Sequence, residues 1–257
     1  MLIAALPLPS GDVYAQTWPA VQKQDQSCLD PLDTEYATVK RISDGDTLVL
    51  QDDRRVRLIG INTAELNAKS DELRDYAQAA KTRLRSLLPK SERVVLYLGK
   101  DAHDQHGRLL AHVVRQSDAL PVAHDLLKSG LAAQVSVAPN TSCTPLHAAL
   151  ESSAVSANRG IWQDTHLWQL DARALTSNMR GFRLVRGEVT SITAKNKHTE
   201  LMLDNTVQLR VRKSLAGELP LQSLKGKRIE IRGWLGAYKN QLRMRLHHPA
   251  NLRVLTN

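Results

Sequence analysis

The stretch that most constrains this chain runs from Lys40 to Glu65, KRISDGDTLVLQDDRRVRLIGINTAE. It predicts two β-strands joined by a short charged turn. Arg41 to Leu50 carries Ile42, Leu48 and Leu50 around the break Asp44-Gly45-Asp46-Thr47, and Val56 to Ile61 is almost continuously apolar, as in a strand buried on both faces. Into that apolar run the sequence sets one charge, Arg57. A buried guanidinium is costly without a partner, so Arg57 should face a pocket or an anion. Asp44, Asp46, Arg57 and Glu65 at adjacent strand ends suit a site for a metal ion and a phosphate. They suit equally a hairpin turn with surface ion pairs.

A second element favours the site. Asp101 to Val114 sets Asp104-Gln105-His106-Gly107-Arg108 immediately before another apolar strand. Gly107 would permit a tight approach, and Arg108 opens the strand with a planar, permanently charged fork suited to phosphate oxygens. Taken in order, DGDT, RLIGINTAE and DQHGR resemble the staphylococcal nuclease (thermonuclease) family over about residues 37–163.

No apolar run approaches the roughly 20 residues needed to span a membrane. Net charge is +9 and unevenly placed: residues 1–170 hold 18 Lys+Arg against 20 Asp+Glu, residues 171–257 hold 17 against 6. A basic last third points to an anionic partner, nucleic acid first, or to a solvated basic surface. Leu2 to Pro9 is apolar but short and lacks a basic start, while Val13-Tyr14-Ala15 before Gln16 would suit a small-residue cleavage site. The two cysteines, Cys28 and Cys143, flank the nuclease-like region. They are compatible with one disulfide in an oxidising compartment, worth about 4–5 kcal/mol for a loop this long, or with two unrelated thiols. The expected location is periplasmic or secreted, with cytoplasmic as the alternative.

The expected fold class is mainly β with helices (α+β). Residues 1–34 should be irregular. Residues 35–163 should form an OB-fold nuclease barrel with about three helices: 67–88, capped by Ser70; 122–131, ended by Gly130; and 145–159, capped by Thr144 with Pro145 first. Residues 164–181 read as a polar connection. Residues 182–257 give five short strands with one helix, within 214–224, after the third, which is again the OB pattern. This second domain resembles basic OB modules that bind nucleic acid. Arg210, Arg212, Arg232, Arg243 and Arg245 are its expected phosphate contacts, and Trp234 and Tyr238 its stacking residues, with core Trp as the other reading.

The nuclease resemblance implies a calcium ion held by Asp46, Asn62 and the backbone carbonyl of Thr63, with Asp44 behind them. It implies Glu65 as general base and Arg57 and Arg108 as phosphate grips, in an enzyme hydrolysing DNA or RNA, single-stranded or flexible. No protein partner is evident. The departures are Asn62 where the family pattern has aspartate, Ala64 for proline, Gln105 for lysine and His106 for tyrosine. The substitution at Asn62 predicts weaker metal affinity. A non-catalytic nucleic-acid-binding protein on a decayed nuclease fold is the alternative, and a structural or partner-binding protein a third. His103, His106 and His112 match no zinc-ligand spacing.

Overall fold

In the computed structural model the apolar runs close into two barrels; residues 26–30 and 33–255 are described, so the short apolar N-terminal stretch and the cleavage-like Val13 to Gln16 lie outside them. The strand β1 (Thr34–Asp44) turns through Gly45 and Asp46 into β2 (Thr47–Leu50), which pairs antiparallel with β3 (Arg55–Leu58). The run Val56 to Ile61 is two strands rather than the expected one. Pairing stops after Leu58, Gly60 turns the chain at φ 82°, and β4 (Ile61–Asn62) leaves to pair elsewhere.

Helix α1 (Asp71–Leu87) forms as its spacing dictates. Ser70 Oγ accepts from the Leu73 amide at 3.2 Å, Asp71 and Glu72 occupy the electropositive first turn, and Leu73, Tyr76, Ala77, Ala80, Leu84 and Leu87 are buried. Then come β5 (Arg93–His103), β6 (Leu109–Arg115), β7 (Leu120–Pro121), α2 (Val122–Lys128), β8 (Ala133–Gln134), the partner of β4, and α3 (Thr144–Ser156). The first barrel closes where β3 runs parallel to β6, placing Arg57 opposite Leu110 and Val56 opposite Leu109. Its core is built on Leu48, Leu50, Val56, Leu58, Leu84, Leu96 and Leu126.

Two helix details depart from expectation. α2 stops at Lys128, two residues before Gly130, whose φ is +70°. Thr144 is the first residue of α3 and not its cap. Cys143 holds the cap position, Pro145 sits one place further in, and the Thr144 hydroxyl instead meets Ser136 Oγ at 2.7 Å. Cys143 is joined to Cys28 by a disulfide, so the segment 26–30 is stapled to the start of α3.

The stretch 164–181, expected as a polar connection, is built into the fold. Within it β9 (Gln169–Asp171) runs parallel beside β10 (Gly181–Ala194). Trp168 is buried with Trp162, Tyr76, Phe182 and Leu184 in a core drawing on both barrels. One large aromatic in a polar run has no period to announce it, yet it buries area enough to fix the segment.

The second barrel continues through β11 (His198–Leu203), β12 (Val207–Arg212), the single-turn α4 (Lys213–Ala216), β13 (Arg228–Tyr238), β14 (Gln241–Leu246) and β15 (Leu252–Val254). β12 runs parallel to β14, and β13 pairs with β10 to close the sheet. Both barrels therefore repeat one plan, with the third barrel strand parallel to the fifth and a helix after the third. The helix expected within 214–224 is α4 plus a 3-10 turn at Leu221–Leu224, separated at Gly217 to Pro220, where Pro220 cannot continue a helix.

Candidate active site

The acidic turn between β1 and β2 lies against the middle of α1, at Ala80, and the segment after β4, at Thr63. Gly45 makes this approach feasible. A Cβ there would fall 2.7 Å from Thr63 Oγ1 and 2.8 Å from the Ala80 methyl. The Gly45 amide donates to Asp44 Oδ1 at 2.8 Å, fixing the turn. Asp46 is 6% exposed and both its oxygens are engaged: Oδ1 accepts from Thr47 Oγ1 at 3.0 Å, while Oδ2 faces Arg57 Nη2 at 3.0 Å and the Thr63 amide and hydroxyl, each at 3.3 Å. Oδ1, with one contact against three at Oδ2, keeps a lone pair to offer a cation.

Arg57, buried as the sequence demands, finds its partners inside the protein. Nη1 donates to the Leu58 carbonyl at 2.8 Å and Nη2 to Asn62 Oδ1 at 3.0 Å. The Asn62 amide in turn donates to the Thr63 carbonyl at 2.8 Å. Asp46, Arg57, Asn62 and Thr63 thus form one closed set of contacts, with the Asn62 oxygen turned to Arg57.

The parallel pairing of β3 with β6 brings Arg108 to the same end of the barrel. Its Nε donates to Asp104 Oδ2 at 2.7 Å and its Nη1 reaches Thr47 Oγ1 at 3.5 Å. Asp104 Oδ1 also accepts from the amides of His106 and Arg108, which ties the loop. Gly107 serves the loop through its φ of +70° and not through the tight approach expected of it, since nothing lies within 4 Å of where a Cβ would be.

Glu65 is an exposed residue on the segment after β4. Its carboxyl is pushed up from the usual range, first by desolvation, then by the charges of Asp46 and Asp44, with Arg57 and Arg108 opposing. Asp44 is likewise pushed up, chiefly by burial, with the Gly45 amide opposing and Asp46 adding to the rise. The charge of Asp46 acts on both Asp44 and Glu65, a repulsion that a divalent cation, which takes hard oxygen donors, would relieve.

Residues 55–164 match the family described as staphylococcal nuclease homologue. A thermonuclease of Staphylococcus intermedius is 32% identical over 132 residues, spanning 50% of this chain and 77% of that protein. The chain belongs to the staphylococcal nuclease family. It is also 25% identical over 154 residues to endonuclease YhcR of Bacillus subtilis (strain 168), covering 55% of this chain but only 12% of that protein.

The family match ends before the basic barrel, where the structure divides the expected nucleic-acid contacts. Arg210, paired with Glu200 at 3.5 Å, and Arg212 leave β12 beside Arg245 of β14. With Lys197, His198 and His247 they line a shallow cleft of about 240 Å³. Arg243 lies over the Tyr238 ring at 4.7 Å, and Trp234, 40% exposed, packs edge-on against Phe182 and His247.

Arg232 does not join this face. It turns to the first barrel, donating to Glu151 Oε2 at 2.7 Å and the Gln134 carbonyl at 3.0 Å. Glu151, Gln134 and Glu230 hold it there. Beside it Asn251 exchanges two hydrogen bonds with the Ser136 backbone, at 3.0 and 2.7 Å. His112, which forms no zinc-ligand spacing with His103 and His106, is buried with His124 and His147. The latter two stand 12 and 35 residues further on, so no local spacing could have joined the three.

Proposed function

We propose that this nuclease is a calcium-dependent phosphodiesterase whose basic C-terminal barrel holds the substrate strand. That it is a hydrolase of nucleic acids follows from its family. The observation that carries the finer reading is the joining of β3 to β6, which sets Arg57 and Arg108 beside Asp44, Asp46 and Glu65.

A phosphodiester resists hydrolysis because its charge repels the nucleophile and grows on its oxygens in the transition state. Asp44, Asp46 and the Thr63 carbonyl would hold the cation, with Asn62 able to offer its amide oxygen only by turning from Arg57. A bound divalent ion supplies Lewis-acid stabilisation of the phosphate charge. Arg108 presents its remaining N–H donors to a phosphate oxygen, oriented from behind by Asp104. Arg57 holds the Asp46 and Asn62 side chains in place and adds a fixed positive charge under the site. Glu65, its carboxyl pushed up by desolvation and by the charges of Asp46 and Asp44, takes a proton from the attacking water.

Arg210, Arg212, Arg243 and Arg245 would track the backbone of a single-stranded or flexible strand, with Trp234 and Tyr238 as stacking surfaces. The disulfide supports action in an oxidising compartment, periplasmic or secreted.

The test is cleavage of a fluorescent single-stranded DNA with calcium titrated from micromolar to millimolar, alongside Glu65→Gln, Arg108→Ala and a chelator. Calcium-dependent cutting, reduced about 10²- to 10⁴-fold by Glu65→Gln, is expected. Unchanged cutting by Glu65→Gln would remove Glu65 from the mechanism.

A further inference from the structure

Three histidines with no role in the nuclease site gather beside the disulfide, His147 packing on Gly60 between β3 and β4. His124 is 1% exposed and His147 is fully buried. The ring centroids of His124 and His147 are 5.2 Å apart, and those of His112 and His147 are 5.7 Å apart. The Nδ1 atom of His124 has no hydrogen-bond partner, and neither does Nε2 of His147, whose Nδ1 faces the Gly60 backbone. A buried polar atom left unpaired requires an explanation, because desolvation without compensation is costly. The direction these nitrogens face supplies one. Ligand atoms of His124, Cys28 and Cys143 lie within 4.8 Å of one another, and so do those of His147, His112 and Cys143.

While the sulfurs are bonded to each other they are poor ligands. We propose that reduction of the Cys28–Cys143 disulfide opens a binding site for one zinc ion, with the two cysteine thiolates and His124 as ligands and His147, which lies near Cys143 but outside the first three, turning in as the fourth. Two thiolates and two imidazoles are the donor set of a closed, tetrahedral structural zinc centre. The step balances as two reactions. A dithiol reductant gives two electrons and two protons to the disulfide and becomes a disulfide itself. Binding of Zn²⁺ to the two resulting thiols then releases two protons. Burial holds His124 and His112 down to about 3 and His147 to about 4, so each imidazole keeps a free lone pair at neutral pH. Cys28, half-buried on the segment 26–30, gives the ion an entry path.

The physical consequence is a staple that survives a change of compartment. In oxidising surroundings the disulfide ties the segment 26–30 to the start of α3. In reducing surroundings zinc would tie the same two residues and also hold the first turn of α2 through His124.

The experiment uses Co²⁺ as a spectroscopic stand-in, added anaerobically to the full-length protein with and without prior reduction, in excess Ca²⁺ to occupy the acidic turn. The reduced protein is expected to take up one equivalent of Co²⁺ with intense thiolate-to-cobalt charge-transfer absorption, bleached by Zn²⁺. The oxidised protein should show none. His124→Gln should lose the tetrahedral cobalt spectrum, and Cys143→Ser should lose the charge-transfer band. Zinc should raise the melting temperature of the reduced protein and leave that of the oxidised protein unchanged. A reduced, folded protein without the band, or equal binding by the oxidised protein, overturns the proposal. So does a reduced chain that unfolds and that zinc fails to refold.

Discussion

The guanidinium of Arg57 lies 3.0 Å from the Asp46 carboxylate, and the two residues are only 8% and 6% exposed. Removing one member of a buried pair leaves the other charge uncompensated, which costs about 3–5 kcal/mol. Arg57→Ala should therefore destabilise by that amount in urea unfolding, besides losing activity. Adding Asp46→Asn to it should recover much of the stability and none of the turnover. An Arg57→Ala variant as stable as the parent would show that the pair does not lock the turn.

Asn62 makes a second prediction. Its oxygen accepts from Arg57 and its amide donates to the Thr63 carbonyl. Asn62→Asp keeps the first contact, loses the second, and adds negative charge beside Asp44, Asp46 and Glu65. Calcium should act at a lower midpoint, by about tenfold for each 1.4 kcal/mol gained. The metal-free protein should melt at a lower temperature. Calcium titrations of activity and melting in chelator measure both. A midpoint that rises would mean that the amide's grip on Thr63 matters more than the missing charge.

The first barrel was legible because its information is local. DGDT, the apolar run holding Arg57, and DQHGR each mark a strand end, and Ser70 marks the start of α1 by its cap. The break at Gly60, the shared core around Trp168 and the inward turn of Arg232 were not legible. Each depends on what a distant segment brings: β8 draws β4 away, Phe182 covers Trp168, and Glu151 captures Arg232. The histidine cluster is the extreme case, three residues far apart in sequence that meet only after folding. Cys28 and Cys143 could be paired because no other cysteine competed.

Those histidines predict an unusual acid sensitivity. Their ordinary value is 6.5, and burial first, then neighbouring charge, brings them to about 3 for His112 and His124, with burial bringing His147 to about 4. Below pH 6.5 the unfolded chain takes up protons that the folded chain refuses, so stability is full above that value and is lost as pH falls towards the folded values. With all three contributing, the slope reaches about 4 kcal/mol per pH unit. Unfolding should therefore begin in mild acid. Urea unfolding across pH 7 to 4.5 should show this loss, and His147→Gln should flatten it by about 1.4 kcal/mol per unit. Loss beginning only near pH 4 would assign acid unfolding to carboxylates instead.

The arginines of the second barrel should separate into two kinds. Arg212 and Arg245 have no ion pair among the described residues, and together they depress His247, after burial, by their charge. Each is free to neutralise a phosphate, and each such contact contributes about 0.7 to the salt dependence of single-strand binding. The double variant Arg212→Ala/Arg245→Ala should weaken binding and make the slope of log affinity against log salt shallower by about 1.4, with the melting temperature little changed. Arg232 is held by Glu151 at 2.7 Å and is 12% exposed in its side chain. Arg232→Ala should leave that slope unchanged and instead loosen the barrel interface, costing about 3–5 kcal/mol through the unpaired Glu151. Fluorescence anisotropy across a salt series, with urea unfolding of the same proteins, distinguishes the two. If Arg232→Ala lowers the salt slope as the exposed pair does, then Arg232 reaches the nucleic acid, and the two barrels part when the strand binds.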